Sequence, residues 1–277
     1  MGVDLHGLRL LSEAQKKGVS FASTIMIGRQ NYYEVDASDL ARALHIPREE
    51  AADMLKQKFV EPLLKKLGAQ RIESLDNSTY EQATIVHDMN TPVPEHLKGA
   101  FSCVFDGGSL EHIFNFPQAI RNCMEMVAVG GHFLEVTAAN NFMGHGFYQF
   151  GPELYYRVFS QENGFAIEDV ILCEVDRGGT WYRAEDPEAF GRRVELINSR
   201  PTYVLVVARK VNEVNIFETT PQQSDYVAAW DHKPVPASAG GGVKAWARSV
   251  VAEHMPRSVK RMLRRMMPWE SDAFRRI

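Results

Sequence analysis

The residues best suited to chemistry sit in short segments that follow apolar runs. The richest is 138–153, Ala-Ala-Asn-Asn-Phe-Met-Gly-His-Gly-Phe-Tyr-Gln-Phe-Gly-Pro-Glu, with four aromatic rings, three amides and an imidazole flanked by Gly144 and Gly146. Aromatic rings wall a sugar or planar group, amides orient hydroxyls, and glycines let a loop close. One reading makes the segment a substrate lid acting through Asn140, Asn141, His145, Phe147, Tyr148 and Gln149; the other makes it a structural loop. His145 is the candidate general base, because an imidazole near its ordinary pKa can take a proton from a hydroxyl. Asp106-Gly107-Gly108-Ser109 is the second such segment, whose paired glycines allow bound groups to approach the backbone closely. Glu111 and His112 follow it, and a lone histidine at a helix start is more often structural than a base. Asp76-Asn77, Asp88-Met89 and Gly28-Arg29-Gln30 complete the set.

These segments need a scaffold that brings them to one edge. Phe101 to Thr137 reads as a single βαβ unit. Phe101, Cys103, Val104 and Phe105 form an apolar run of the kind found in a parallel strand covered on both faces. Ile120, Cys123, Met124 and Val127 recur at helical spacing after Phe116-Pro117. Gly130-Gly131 reads as the stop of that helix, with Phe133, Leu134 and Val136 starting the next strand. Further strands are expected at Phe21–Ile27, Gln70–Leu75, Ala83–His87, Phe165–Val175 and Pro201–Lys210. In open α/β sheets ligands bind outside the carboxyl ends of the strands, which is where all the segments above fall.

Phe101-x-x-Val104-Phe105-Asp106, then Leu110-Glu111-His112-Ile113, then Val129-Gly130-Gly131-His132-Phe133-Leu134 resemble the second half of the class I S-adenosylmethionine-dependent methyltransferase core, in the branch similar to type 11. The resemblance spans about residues 20 to 210 and is strongest over 83 to 175. It implies an α/β, Rossmann-like fold: a mostly parallel seven-stranded sheet with an antiparallel final hairpin, here with a helical insertion after strand one. It also implies S-adenosyl-L-methionine as cofactor. Gly28, Arg29 and Gln30 would then frame the amino-acid end of that cofactor, although the family's glycine-rich loop is reduced here to Gly28. Asp76 and Asn77 would meet the ribose, Asp88 and Met89 the adenine, Asp106, Gly107, Gly108 and Ser109 would line the mouth, and Glu111 and His112 would hold the cofactor. The reaction implied is methyl transfer; the aromatic and amide loop with the basic tail points to a hydroxyl as acceptor, on a sugar or other small hydroxylated molecule such as one used in surface glycan synthesis. The alternative is an inactive member of the fold that serves as a binding or scaffold subunit.

The chain has 277 residues, 45% of them apolar, and a net charge of −4, enough for a sizeable core and no general attraction to nucleic acid. Residues 1–210 form the methyltransferase-like domain, with insertions at 36–67 (helical) and 176–200 (within the final hairpin). The segment Asp39 to Leu55 superficially resembles a helix-turn-helix, but it is acid-rich, so it reads as a cover for the crevice and no nucleic-acid partner is expected. Trp181, Tyr182, Arg183, Arg192 and Arg193 could meet an acidic substrate or simply belong to a solvated surface helix. Cys103, Cys123 and Cys173 lie in or beside apolar runs without CxxC spacing, which points to buried reduced thiols, a cytoplasmic setting and no metal. No signal-peptide pattern or membrane-length apolar run is present. Residues 211–243, rich in Thr, Gln, Ser, Pro and Gly, read as a linker. Residues 244–277 hold 9 Lys or Arg against 3 Asp or Glu. Within them 256–267 reads as a basic amphipathic helix, for which an anionic membrane surface (a peripheral position at the inner face), a protein partner, or the chain's own domain are the open alternatives.

Overall fold

A computed structural model describes residues 2–176, 179–230 and 272–277, with 256, 258, 259 and 262 placed individually. The chain begins with β1 (Gly2–Val3) and α1 (Leu5–Lys16), whose first turn is capped by Asp4 accepting from the His6 and Gly7 N–H groups. Next come β2 (Ser23–Ile27), β3 (Asn31–Tyr32) and the helices α2 (Ala37–Leu44), α3 (Arg48–Leu55) and α4 (Glu61–Lys66). The central part runs β4 (Arg71–Asp76), β5 (Ile85–Val86), β6 (Phe101–Asp106), α5 (Phe116–Met126) and β7 (Val127–Asn140). After α6 (Pro152–Val158) come β8 (Phe165–Glu174), β9 (Tyr182–Ala184), α7 (Pro187–Phe190), β10 (Thr202–Lys210), α8 (Ser224–Trp230) and β11 (Phe274–Arg276).

One sheet of nine strands has the order β11-β9-β8-β10-β7-β6-β2-β4-β5, and β1 pairs with β3 in a separate parallel pair. From β5 to β7 every pairing is parallel, whereas β10 runs antiparallel between β7 and β8. This is the expected Rossmann-like α/β architecture, extended from seven strands to nine. The order reverses beside β2: the chain builds outward through β4 and β5, then returns to the other side of β2 with β6. That is a topological switch point, where a crevice opens between diverging connections. Register keeps the strand tips level, with Ile27 opposite both Leu75 and Asp106, and Asp106 opposite Glu135.

Alternation along the central strands divides the core between two faces. Ile25, Ile27, Val104 and Phe133 pack with Ile120, Cys123 and Met124 of α5. Met26, Cys103, Phe105 and Leu134 pack on the other face with Leu8 and Leu11 of α1, Leu40 of α2 and Leu63 and Leu64 of α4. The three cysteines are free and buried, as expected. Among the described residues no helix is long and apolar enough to cross a membrane.

Three expectations need correction. Gly130-Gly131 does not separate helix from strand: β7 is continuous from Val127, and the glycines lie in an irregularity where β6 pairs Phe101 with Val127 but Cys103 with His132. Gly130 has φ +86, and a Cβ on Gly131 would stand 2.8 Å from the Ser102 carbonyl oxygen, so both positions require glycine. Residues 211–230 are packed rather than free linker. Ile216 is buried in the core, the Phe217 N–H bonds Asn163 Oδ1 at 2.9 Å, and Ser224 bonds Glu153. Finally, the chain's last residues return to the sheet, β11 pairing antiparallel with β9 of the hairpin insertion. Most of the expected linker after 230 and of the basic helix at 256–267 lies outside the described residues.

Candidate active site at the strand tips

The carboxyl ends of β2, β4 and β5 open on a cavity of about 260 Å³ lined by Ile27, Gly28, Leu75, Asp76, Asn77, His87, Asp88, Met89, Asn90, Ser109, His112 and Ile113. It therefore gathers Gly28, Asp76, Asn77, Asp88 and Met89 from three separate stretches of sequence. Asp76 ends β4 and keeps one oxygen engaged with the Ser78 N–H at 3.1 Å. Asp88 is exposed and held below the usual carboxylate range by the backbone and side-chain N–H groups of Asn90. The buried Asn122 of α5 holds this loop in place: its Nδ2 donates to the carbonyls of Met89 at 3.1 Å and Thr91 at 2.8 Å, and its Oδ1 accepts from Val93 N–H. Met89 is thereby presented as an apolar wall opposite Ile27 and Leu75.

Between the tips of β2 and β6 the two loops are cross-linked. Ser109 Oγ donates to the Ile27 carbonyl at 2.8 Å, and Gln30 Nε2 donates to the same carbonyl at 2.6 Å. Gln30 is buried, and its Oε1 has no hydrogen-bond partner among the described residues. A Cβ on Gly107 would fall 2.6 Å from that oxygen, and one on Gly28 would fall 2.7 Å from Ser109 Oγ. Close approach of the two loops, rather than contact with a ligand, thus requires both glycines.

On the far side of this junction lies a second cavity of about 510 Å³, whose wall includes Asn31, Tyr33, Glu34, Gly107, Val136, Phe142, His145 and Tyr203. Beside it three carboxyl groups are fully buried: Asp106, Glu111 and Glu135. Asp106 accepts from the N–H groups of Ser109 at 2.9 Å and Leu110 at 3.3 Å, shaping the turn after β6. Burial pushes it up to about 6 against those bonds, and burial pushes Glu111 to about 8 with the Asp106 charge adding to the effect. Burial, then the Asp106 charge, raises Glu135 well above the usual range, and Tyr155 faces it short of hydrogen-bond geometry. Three negative charges in so small a dry volume would repel strongly, so the cluster keeps protons at neutral pH.

The 138–153 loop lies over this cluster. The Glu111 carbonyl accepts from the N–H groups of both Phe147 at 2.9 Å and Tyr148 at 3.2 Å. His145 Nε2 then stands 3.6 Å from Glu111 Oε1. Burial lowers the pKa of His145, and burial with the nearby His145 lowers that of His112, so both imidazoles are neutral near pH 7.

Not every predicted site residue faces a cavity. Arg29 turns away to Glu61 at 2.7 Å and covers the Phe59 ring, while Gln30 forms the buried cross-link above. Asp106 and Glu111 are sealed inside, and Gly108, with φ +92, forms the turn. Asn140 and Asn141 both bond Asn198, and Asn141 also bonds the Arg200 carbonyl, tying the loop to the hairpin insertion. Gln149 accepts from the Phe142 N–H within the loop, and Tyr148 donates to the Phe114 carbonyl. Phe147 is 66% exposed beside Phe114. Of the proposed lid contacts only His145 lines the second cavity. Ser109 and Asn31 line the two cavities as their segments suggested, whereas Glu34 and Tyr203 carry no local signal as lining residues, and Glu135, a charged residue inside the apolar run Phe133-Leu134-Glu135-Val136, is a visible signal of the buried cluster.

No protein-family model matches the chain, and no curated protein matches it. Solved structures similar to it include the N-methyltransferase NodS from Bradyrhizobium japonicum in complex with S-adenosyl-l-homocysteine, at 14% identity over 75% of this chain and 86% of that one, with a TM-score of 0.41. An S-adenosylmethionine-dependent methyltransferase from Aquifex aeolicus is similar at 9% identity over 73% of this chain and 91% of that one, TM-score 0.38. The branched-chain polyamine synthase from Thermus thermophilus is similar at 13% identity over 77% of this chain, TM-score 0.38, and the chain spans 59% of that protein's length.

Proposed function

We propose that the chain is an S-adenosylmethionine-dependent methyltransferase that modifies a hydroxyl of a small acceptor, with a sugar destined for a surface glycan as the favoured class. The observation that carries this reading is the pair of cavities that flank the Gly28–Gln30 and Gly107–Ser109 loops. The first suits a nucleoside: two carboxylates, Asp76 and Asp88, can accept from hydroxyl and amino groups, and Met89, Ile27 and Leu75 supply apolar walls. Gln30 Oε1, a buried acceptor without a donor among the described residues, suits an ammonium at the junction. The second cavity has room for an acceptor beside His145.

When bound, S-adenosylmethionine supplies an electrophilic methyl group on a sulfonium, which passes to the acceptor oxygen as the carbon–sulfur bond breaks and S-adenosylhomocysteine remains. The protein's share is positioning and exclusion of water, which can account for most of the rate in such a displacement. His145, neutral at pH 7, receives the hydroxyl proton, and the loop that carries it closes the second cavity on one side. Asp76 and Asp88 orient the nucleoside. Attachment to a membrane or partner through 256–267 would bring the enzyme to a lipid-linked acceptor.

A second reading, an inactive scaffold with this fold, is favoured by the Gln30–Ser109 cross-link, which fills the space between the strand tips. Titration calorimetry with S-adenosylhomocysteine separates the two: the enzyme reading expects one site that D76A weakens at least tenfold, and the scaffold reading expects no heat at millimolar ligand.

A further inference from the structure

We propose that Glu111, His112 and His145 form a site for one divalent transition-metal ion, of the zinc or ferrous class, between the two cavities. One carboxylate oxygen and one nitrogen from each imidazole lie within 4.8 Å of one another. The Glu111 Oε1 to His145 Nε2 separation of 3.6 Å is too long for a hydrogen bond. With both atoms at about 2.1 Å from a shared ion, as for zinc, it corresponds to an angle of roughly 120° at the ion, compatible with a distorted tetrahedron.

The independent observation is the state of Glu111. Its side chain is fully buried, and among the described residues neither carboxylate oxygen has a hydrogen-bond partner. A buried carboxyl group without donors is costly, and a cation between it and two imidazoles removes that cost. Backbone geometry holds the carboxylate and the lid histidine together. The Glu111 carbonyl receives the Phe147 and Tyr148 N–H groups, and a Cβ on Gly146 would fall 2.8 Å from that carbonyl oxygen. The rings of His112 and His145 are 5.1 Å apart and inclined at 54°, so they converge rather than stack.

A set of two nitrogens and one oxygen suits zinc, iron(II), cobalt or nickel better than magnesium or calcium, which prefer all-oxygen shells. Three protein ligands leave at least one coordination position open. His112 lines the first cavity and His145 the second, so an oxygen ligand bound at that position would lie at their junction. With an ion bound, His145 serves as a ligand, and an acceptor hydroxyl on the ion would release its proton to water. The site itself depends on the Glu111–His112–His145 geometry and not on the methyltransferase reading.

Cobalt(II) is the probe, because its visible absorption reports coordination directly. Full-length protein stripped with chelator should take up one equivalent of Co²⁺ with visible bands of a four- or five-coordinate ion, and Zn²⁺ should displace it. E111Q and H145A should each weaken binding by more than a hundredfold, with H112A close behind, while H132A, whose histidine faces Glu168 elsewhere, should leave it unchanged. Should E111Q fail to fold by circular dichroism, H145A in the half-exposed lid carries the test alone. Absence of such bands, or Co²⁺ affinity unchanged in both E111Q and H145A, overturns the proposal. Calorimetry with S-adenosylhomocysteine on the metal-free sample reports on the cofactor site separately, so either reading can fail without the other.

Discussion

His145 Nε2 lies 3.6 Å from Oε1 of Glu111, although 34 positions separate the two residues in the chain and one follows β6 while the other follows β7. The contact exists because the loop after β7 folds back onto the turn after β6 and hydrogen-bonds the Glu111 carbonyl. It joins the one candidate base in the lid to the buried acidic cluster. If this pair governs the chemistry, H145A should lower kcat about 10²- to 10³-fold with little change in KM, and E111Q should do the same. Steady-state kinetics on a methyl acceptor measures this; a fall confined to KM would assign the pair to binding alone.

Asp76 and Asp88 flank the first cavity from separate strands, and their effects should be separable. D76A should weaken S-adenosylhomocysteine at least tenfold, consistent with the loss of one or two charge-assisted hydrogen bonds at about 1.5–3 kcal/mol each. D88A, at the exposed rim, should weaken it less. Calorimetry on both variants decides, and equal small effects would remove the cavity from the binding account.

Much of the framework for these contacts was readable from residue order. Apolar runs ending at Gly28 and Asp106 located the central strand tips, because a strand buried on both faces is largely apolar and stops where polar residues begin, while the strands before Asp76 and Asp88, towards the sheet's edge, carry the weaker, mixed pattern of half-exposed strands. What each tip residue does was less readable. Gln30 follows a strand as a ligand-framing residue would, yet it is buried and bonds the Ile27 carbonyl, a tertiary fact fixed by the approach of Ser109. Asn140 and Asn141 face Asn198, a partner 57 or 58 positions away that no local pattern announces. The stretch from Val211 reads as linker by composition, but Ile216 and Phe217 anchor it against the core.

The loop junction makes a testable pair. In G107A the new methyl would meet Gln30 Oε1 at 2.6 Å and should displace the amide from the Ile27 carbonyl, costing about 1–2 kcal/mol. Q30A/G107A should recover part of that loss. A denaturant-based double-mutant cycle with no coupling would show that the two loops do not act together.

Glu135 supplies a pH signature. Its folded-state pKa is raised by burial and then by Asp106, so between the unfolded and folded values the folded state holds a proton that the unfolded state has lost. Its contribution to stability is therefore complete below about pH 4.5 and declines as pH rises. Asp106, raised to about 6, declines in the same direction between about pH 4 and 6. E135Q is neutral at every pH, so its melting temperature relative to the parent should increase steadily from pH 4.5 to 8. A relative melting temperature that falls over that range would contradict the assignment.

Calorimetric titration of the metal-free full-length protein with S-adenosylhomocysteine, in parallel with D76A, bears most directly on the central claim that the strand-tip cavity is a nucleoside site. The account predicts one equivalent bound by the parent protein at micromolar concentrations and at least tenfold weaker binding by D76A. No heat at millimolar ligand, or identical binding by the two proteins, would contradict it.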